Sequence, residues 1–179
     1  MISFVKRDII ETDANYICHQ VNCRAAMNSG VAKAIRERWP VVYTAYMKVC
    51  ADYVENNRPI SDALGHNMLV AVGDAWPHYP KVINMFAQDG YGYDGKRYTS
   101  YDAFWSCLGH ICESVPKGSK IAFPYKIGCD RGGANWNVIF AMIKEVLGED
   151  YEIEFCYLNE DDWIINYTLT NLPKHEEKM

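Results

Sequence analysis

Two stretches of the chain concentrate the groups that could do chemistry. Residues 16–40 read "YICHQVNCRAAMNSGVAKAIRERWP" and residues 125–136 read "YKIGCDRGGANW". In each, an apolar strand-like run passes through small and polar residues into a helical pattern. Such a junction leaves N–H groups unpaired at the positive end of the helix dipole, which suits a phosphate. Glycine there lets the backbone approach the anion closely. One such loop is ordinary turn chemistry. Two of them, each after a buried strand, describe a crevice at the carboxyl edge of a sheet that grips a diphosphate from both sides. His19 is the only histidine close to either loop, and an unperturbed pKa near 6.5 suits proton transfer at neutral pH. It reads equally as a buried ring hydrogen-bonded inside the sheet. Asp130, in the second loop, is placed to accept a proton from a water.

Other chemistries find less support. Residues 90–95, "GYGYDG", satisfy the G-x-G-x-x-G spacing of dinucleotide-binding loops. That mechanism needs the last glycine to enter a helix directly, and here "KRYTS" intervenes. There is no Walker A motif. The seven cysteines have no C-x-x-C spacing, which argues against a disulfide framework or a zinc ribbon. Cys107, His110 and Cys112 fall close together in one predicted helix, but no second ligand pair accompanies them, so buried free thiols and no metal are expected. No cofactor is implied.

The elements that must position the two loops follow from pattern and punctuation. "ISFV" and "YICHQV" read as strands. A helix starts near Gly30 and stops at Trp39, because Pro40 biases its predecessor away from helical geometry and can itself open the next helix, residues 40–56. "NMLVAVG" and "KVINMFAQ" are β-rich runs, read as a hairpin or neighbouring strands, with a mobile stretch after them. Thr99 and Asp102 have capping-box spacing at the head of a helix over residues 99–115. "KIAFPY" is a strand, "WNVIFAMIKEVLG" a helix closed by Gly148, and "YEIEFCYL" the last strand. A tail with anchors at Trp163 and Ile164 ends in charge.

The 179 residues suit one domain, and a formal net charge of -5 lacks the basic excess of a duplex nucleic-acid binder. No apolar run approaches the roughly 18 to 20 residues that span a bilayer, and "MISFVKRDII" lacks the features of a signal peptide. The expected class is therefore a single α/β domain, a mixed β-sheet between helices, with a cytoplasmic address and no membrane partner.

On "ICHQVNCRAAMNSGVAKAIRERWP", "VINMFAQDGYG" and "FPYKIGCDRGGANWNVIFAMI", the sequence resembles the macro domains that bind ADP-ribose, from about Val5 to Leu158. The branch most alike contains ADP-ribose-1''-phosphate phosphatases and the terminal ADP-ribose protein glycohydrolase, common in phages and bacteria. The resemblance implies a three-layer sandwich over residues 1–158 with a C-terminal extension over 159–179, monomeric. It implies that Asp8, followed by Ile9, accepts a hydrogen bond from the adenine amino group and that Asn22 lies beside the distal ribose. Asn28, Ser29, Gly30 and Val31 match the first phosphate loop. Gly128, Cys129, Asp130, Arg131, Gly132, Gly133 and Ala134 match the second.

The departures from that family matter as much. Asn28 stands where a further glycine is usual, and Asp130 and Arg131 replace the commoner glycine and an apolar residue. The glycohydrolase branch uses a lysine nucleophile and a resolving aspartate; those positions hold Gln88 and Gly132, which cannot do that chemistry. The implied activity is hydrolysis of ADP-ribose 1''-phosphate, with His19, Asn22 and Asp130 as catalytic candidates and Asn22 orienting the ribose. A non-catalytic ADP-ribose-binding module is the alternative from another class. Removal of ADP-ribose from modified protein or nucleic acid is the alternative within the enzyme class, with ADP-ribosylated macromolecules as partners.

Overall fold

A computed structural model describes residues 1–73 and 79–159. Six strands form one sheet in the order β1-β6-β5-β2-β4-β3: β1 (Ile2–Lys6), β2 (Tyr16–Asn22), β3 (Asn67–Ala71), β4 (Lys81–Gln88), β5 (Lys120–Pro124) and β6 (Glu152–Tyr157). All neighbours are parallel except β3 against β4, so the expected pair of neighbouring strands is an antiparallel edge. β4 is buried from Val82 to Gln88, as suits an inner strand covered on both faces.

Alternate residues of the central strands serve opposite faces. Tyr16 and Cys18 of β2, with Ile83 and Met85 of β4, pack under α3 (Tyr101–Ser114) and α4 (Trp136–Leu147), meeting Phe104, Leu108, Ile139 and Ile143. Ile17 and Val21, with Val82 and Phe86, face α1 (Gly30–Arg38) and α2 (Pro40–Glu55), meeting Ile35, Val42, Met27 and Tyr46. The result is the three-layer sandwich. Pro40 sits at the first position of α2, and the break before it falls at Trp39, as the sequence requires.

Two local readings change. The segment over residues 55–62, expected to be loop, includes the start of a 3-10 helix, Ile60–Ala63, and a second one covers Ile9–Glu11. Thr99 is not the cap of α3: Ser100 is, its hydroxyl accepting from the Ala103 N–H at 3.2 Å. Gly148 closes α4 as read, with φ -64°. The expected anchors Trp163 and Ile164, with nearly all of the tail, lie outside the described residues.

The topology opens a crevice at one place. β2 and β5 are neighbours, yet β2 leads to α1 on one face and β5 leads to α4 on the other. Adjacent strands whose connections leave toward opposite faces part at their carboxyl ends, and there an α/β sheet binds its ligand.

Candidate functional site

That crevice is a cleft of about 360 Å³. Its floor comes from the ends of β2 (His19, Gln20, Asn22) and β4 (Gln88), and its walls from the head of α1 and the loop after β5. Both loops singled out in the sequence therefore meet across one cavity.

The head of α1 is open to an anion. Ser29 stands at the N-cap in extended geometry, but its side chain makes no capping bond, and the first turn carries no acidic residue. The first helical bond is Lys33 N–H to the Ser29 carbonyl, at 3.2 Å. The N–H groups of Gly30, Val31 and Ala32 thus have no partner inside the helix, and all three residues line the cleft. Gly30 sits at φ +55°, and a Cβ there would meet nothing within 4 Å, so glycine is needed for conformation rather than space. Asn28 also lines the cleft, with its Oδ1 accepting from Arg36 Nη1 at 2.8 Å.

The loop after β5 is shaped by close approach. A Cβ on Gly128 (φ +76°) would stand 2.7 Å from Gln20 Oε1, and one on Gly132 would stand 2.5 Å from the Gly128 carbonyl oxygen. A Cβ on Gly133 (φ +67°) would stand 2.7 Å from the Lys96 carbonyl oxygen. Cys129, Gly133 and Ala134 lie outside the lining, whereas Gly128, Asp130, Arg131 and Gly132 are part of it. The "GYGYDG" segment is docked on this loop: Gly92 N–H bonds the Arg131 carbonyl at 3.0 Å, and Tyr98 and Thr99 N–H both bond the Gly132 carbonyl at 2.9 Å. It supports the second loop and does not open a helix.

Asn22 is buried, and its side chain organises the turn it precedes. Nδ2 donates to the Ala26 carbonyl at 2.7 Å, and Oδ1 accepts from Arg24 N–H at 2.9 Å. His19 takes the second of its two readings, a buried ring hydrogen-bonded inside the sheet. Its ring is 1% exposed, with Nε2 hydrogen-bonded to Asn84 Oδ1 on β4, the residue in register with it. Burial drives its pKa down to about 4, despite the opposing hydrogen bond to Asn84. At neutral pH the imidazole is uncharged. Asp130 is exposed and accepts from the Tyr93 hydroxyl at 2.9 Å. Asp8 spends a carboxylate oxygen on its own 3-10 helix, accepting from Ile10 N–H at 3.2 Å, and neither it nor Ile9 is in the cleft lining.

Sequence reading missed a polar network beneath the cleft. Gln20 Nε2 donates to Gln88 Oε1 at 2.6 Å and approaches Thr99 Oγ1 at 2.8 Å; Thr99 in turn donates to the Gly128 carbonyl at 3.0 Å. Gln88 Nε2 donates to the Gly90 carbonyl at 2.8 Å. Buried polar atoms without a partner also gather here: His19 Nδ1, Gln20 Oε1 and Arg131 Nε all belong to lining residues. Native structures leave few such atoms, and a ligand is one way of satisfying them.

Among the described residues no three His, Cys, Asp or Glu side chains gather to hold a metal. Cys107 is buried with its thiol pushed up to about 12 by that burial, Cys112 is exposed, and the His110 ring stacks on His66 with centroids 5.8 Å apart. No helix of the described residues is long and apolar enough to cross a membrane.

The sheet order, the helices on its two faces and the cleft at the carboxyl edge define an α/β domain with the macrodomain fold. The macrodomain of Thermus aquaticus DarG superposes with a TM-score of 0.67 at 22% identity, covering 88% of this chain and 98% of that one. Thermosipho africanus DarTG in complex with ADP-ribose gives 0.67 at 16% identity, covering 86% of this chain and 40% of that one. Over 50 residues the chain is 34% identical to the DNA ADP-ribosyl glycohydrolases of Mycobacterium bovis and Mycobacterium tuberculosis. That stretch is 28% of this chain and 14% of those proteins' length. No family model matches the chain.

Proposed function

We propose that the cleft binds ADP-ribose and that the protein hydrolyses ADP-ribose 1''-phosphate to ADP-ribose and phosphate. The observation that carries the binding is the uncapped head of α1 opening into a cleft between two glycine-bearing loops. The diphosphate takes the N–H groups of Gly30 and Val31 on one side and the loop from Gly128 to Gly132 on the other. Asp8 is the proposed partner of the adenine amino group, and Asn22 sets the distal ribose.

In the hydrolysis a water attacks phosphorus, the bond from phosphorus to the 1'' oxygen breaks, and Asp130 accepts the water's proton. Solvent protonates the departing oxygen. His19 is too buried and too weakly basic to carry that proton at neutral pH. A lysine-adduct route has no nucleophile, because Gln88 occupies that position and its amide is spent on Gln20 and Gly90. A second reading, removal of ADP-ribose from DNA, draws on the local identity to the mycobacterial glycohydrolases.

Incubating the protein with ADP-ribose 1''-phosphate and, separately, with ADP-ribosylated DNA tests both. Phosphate release that falls at least about tenfold in Asp130→Asn supports the first reading. Free ADP-ribose from DNA alone replaces it with the second. Calorimetric binding of ADP-ribose without either product reduces the protein to a binding module.

A further inference from the structure

Arg131 stands where two positive features converge. Its Nη1 donates to Ser29 Oγ at 2.6 Å, across the cleft from its own loop. Ser29 is the N-cap of α1, and its hydroxyl accepts this bond instead of bonding the helix. A guanidinium is thereby held at the positive end of a helix dipole, with no carboxylate in the first turn. Cations are unfavourable at that end of a helix. The arrangement makes electrostatic sense when an anion lies between them.

The cation is also held in place before any ligand arrives. The guanidinium carbon lies 4.4 Å from the ring centre of Tyr91 and 5.8 Å from that of Tyr93. Tyr93 is tied in turn by its hydroxyl to Asp130. Arg131 Nε is buried without a protein partner, so part of the planar fork remains unspent. A fork of this kind matches two oxygens of a phosphate group, and holding it in advance lowers the entropic cost of binding.

We propose that Arg131 is a specificity-determining residue that makes the cleft select pyrophosphate-bearing ligands over those with a single phosphate. One phosphate occupies the amides at the head of α1, and the second is taken by the guanidinium, which exchanges part of its bond to Ser29 for the ligand. This rests on the reading of the cleft as an ADP-ribose site, which it deepens.

The test is titration calorimetry of ADP-ribose, AMP, inorganic pyrophosphate and inorganic phosphate against the parent, Arg131→Gln and Arg131→Lys, at two salt concentrations. Circular dichroism checks folding. Arg131→Gln should weaken ADP-ribose and pyrophosphate by about tenfold to a hundredfold, the worth of a charge-assisted hydrogen bond. AMP and phosphate should change by less than about threefold, and the salt dependence of ADP-ribose binding should flatten. Arg131→Lys should recover part of the loss, since it returns the charge without the fork. Equal weakening of all four ligands, or none, overturns the proposal. Failure of the parent to bind ADP-ribose while Arg131 still governs pyrophosphate over phosphate overturns the ADP-ribose reading and leaves this one standing.

Discussion

Tyr46, in the middle of α2, donates its hydroxyl to the Asn22 carbonyl at 2.8 Å, and the same oxygen accepts from Ala26 N–H at 3.1 Å. A core side chain thus fixes the exit of β2 and the turn that leads to the uncapped head of α1. Tyr46→Phe removes the donor to the Asn22 carbonyl and leaves Ala26 N–H only its 3.4 Å bond to Asn22 Oδ1. Urea unfolding should show a loss of roughly 1–3 kcal/mol, and calorimetry a weaker grip on ADP-ribose. A Phe variant as stable as the parent would mean that the turn does not lean on α2.

His19 makes stability depend on pH with a definite sign. Its folded pKa, about 4, lies below its ordinary value of 6.5, so the unfolded chain binds the proton more readily. The stabilisation from keeping the ring neutral is complete above pH 6.5 and is lost as the pH falls from there towards 4, reaching about 3 kcal/mol. Unfolding curves between those limits should be shallower in pH for His19→Gln than for the parent. Parallel curves would place the imidazole in water.

Two glycines with similar left-handed backbones should respond differently to alanine. At Gly30 the Cβ enters open space, so only the conformation is penalised, by roughly 1–2 kcal/mol. At Gly133 the Cβ also meets the Lys96 carbonyl oxygen and Arg97 Cα, at 2.7 and 3.2 Å. Gly133→Ala should therefore lower the melting temperature more than Gly30→Ala, and should loosen the 90–99 segment as seen by amide exchange. Equal melting temperatures would remove the contact from the account.

The fold was legible where one segment's own pattern decides its structure. The near-continuous apolar run of β4 and the break at Pro40 are local signals, and both stand as read. The two strand-loop-helix junctions at the cleft were legible for the same reason, since small residues before a helix act within a few positions. The Gln20, Gln88 and Thr99 network was not, because those residues meet only through the sheet order. Thr99 carried a capping signal that Ser100 answers instead, which frees its hydroxyl for Gly128. The weak basicity of His19 comes from its depth in the sheet, against which the hydrogen bond to Asn84, 65 residues away in the chain, works. No local pattern records either.

In the proposed complex a diphosphate rests on the uncapped head of α1. Titrating ADP-ribose into isotope-labelled protein while following backbone amide resonances tests it at the atoms concerned. Saturable shifts should be largest for the N–H groups of Gly30, Val31 and Ala32, with a second group from Gly128 to Gly132. They should track the phosphorus signal of the bound nucleotide. Shifts that saturate elsewhere while the α1 amides stay still, or no saturable shift at all, would contradict the account.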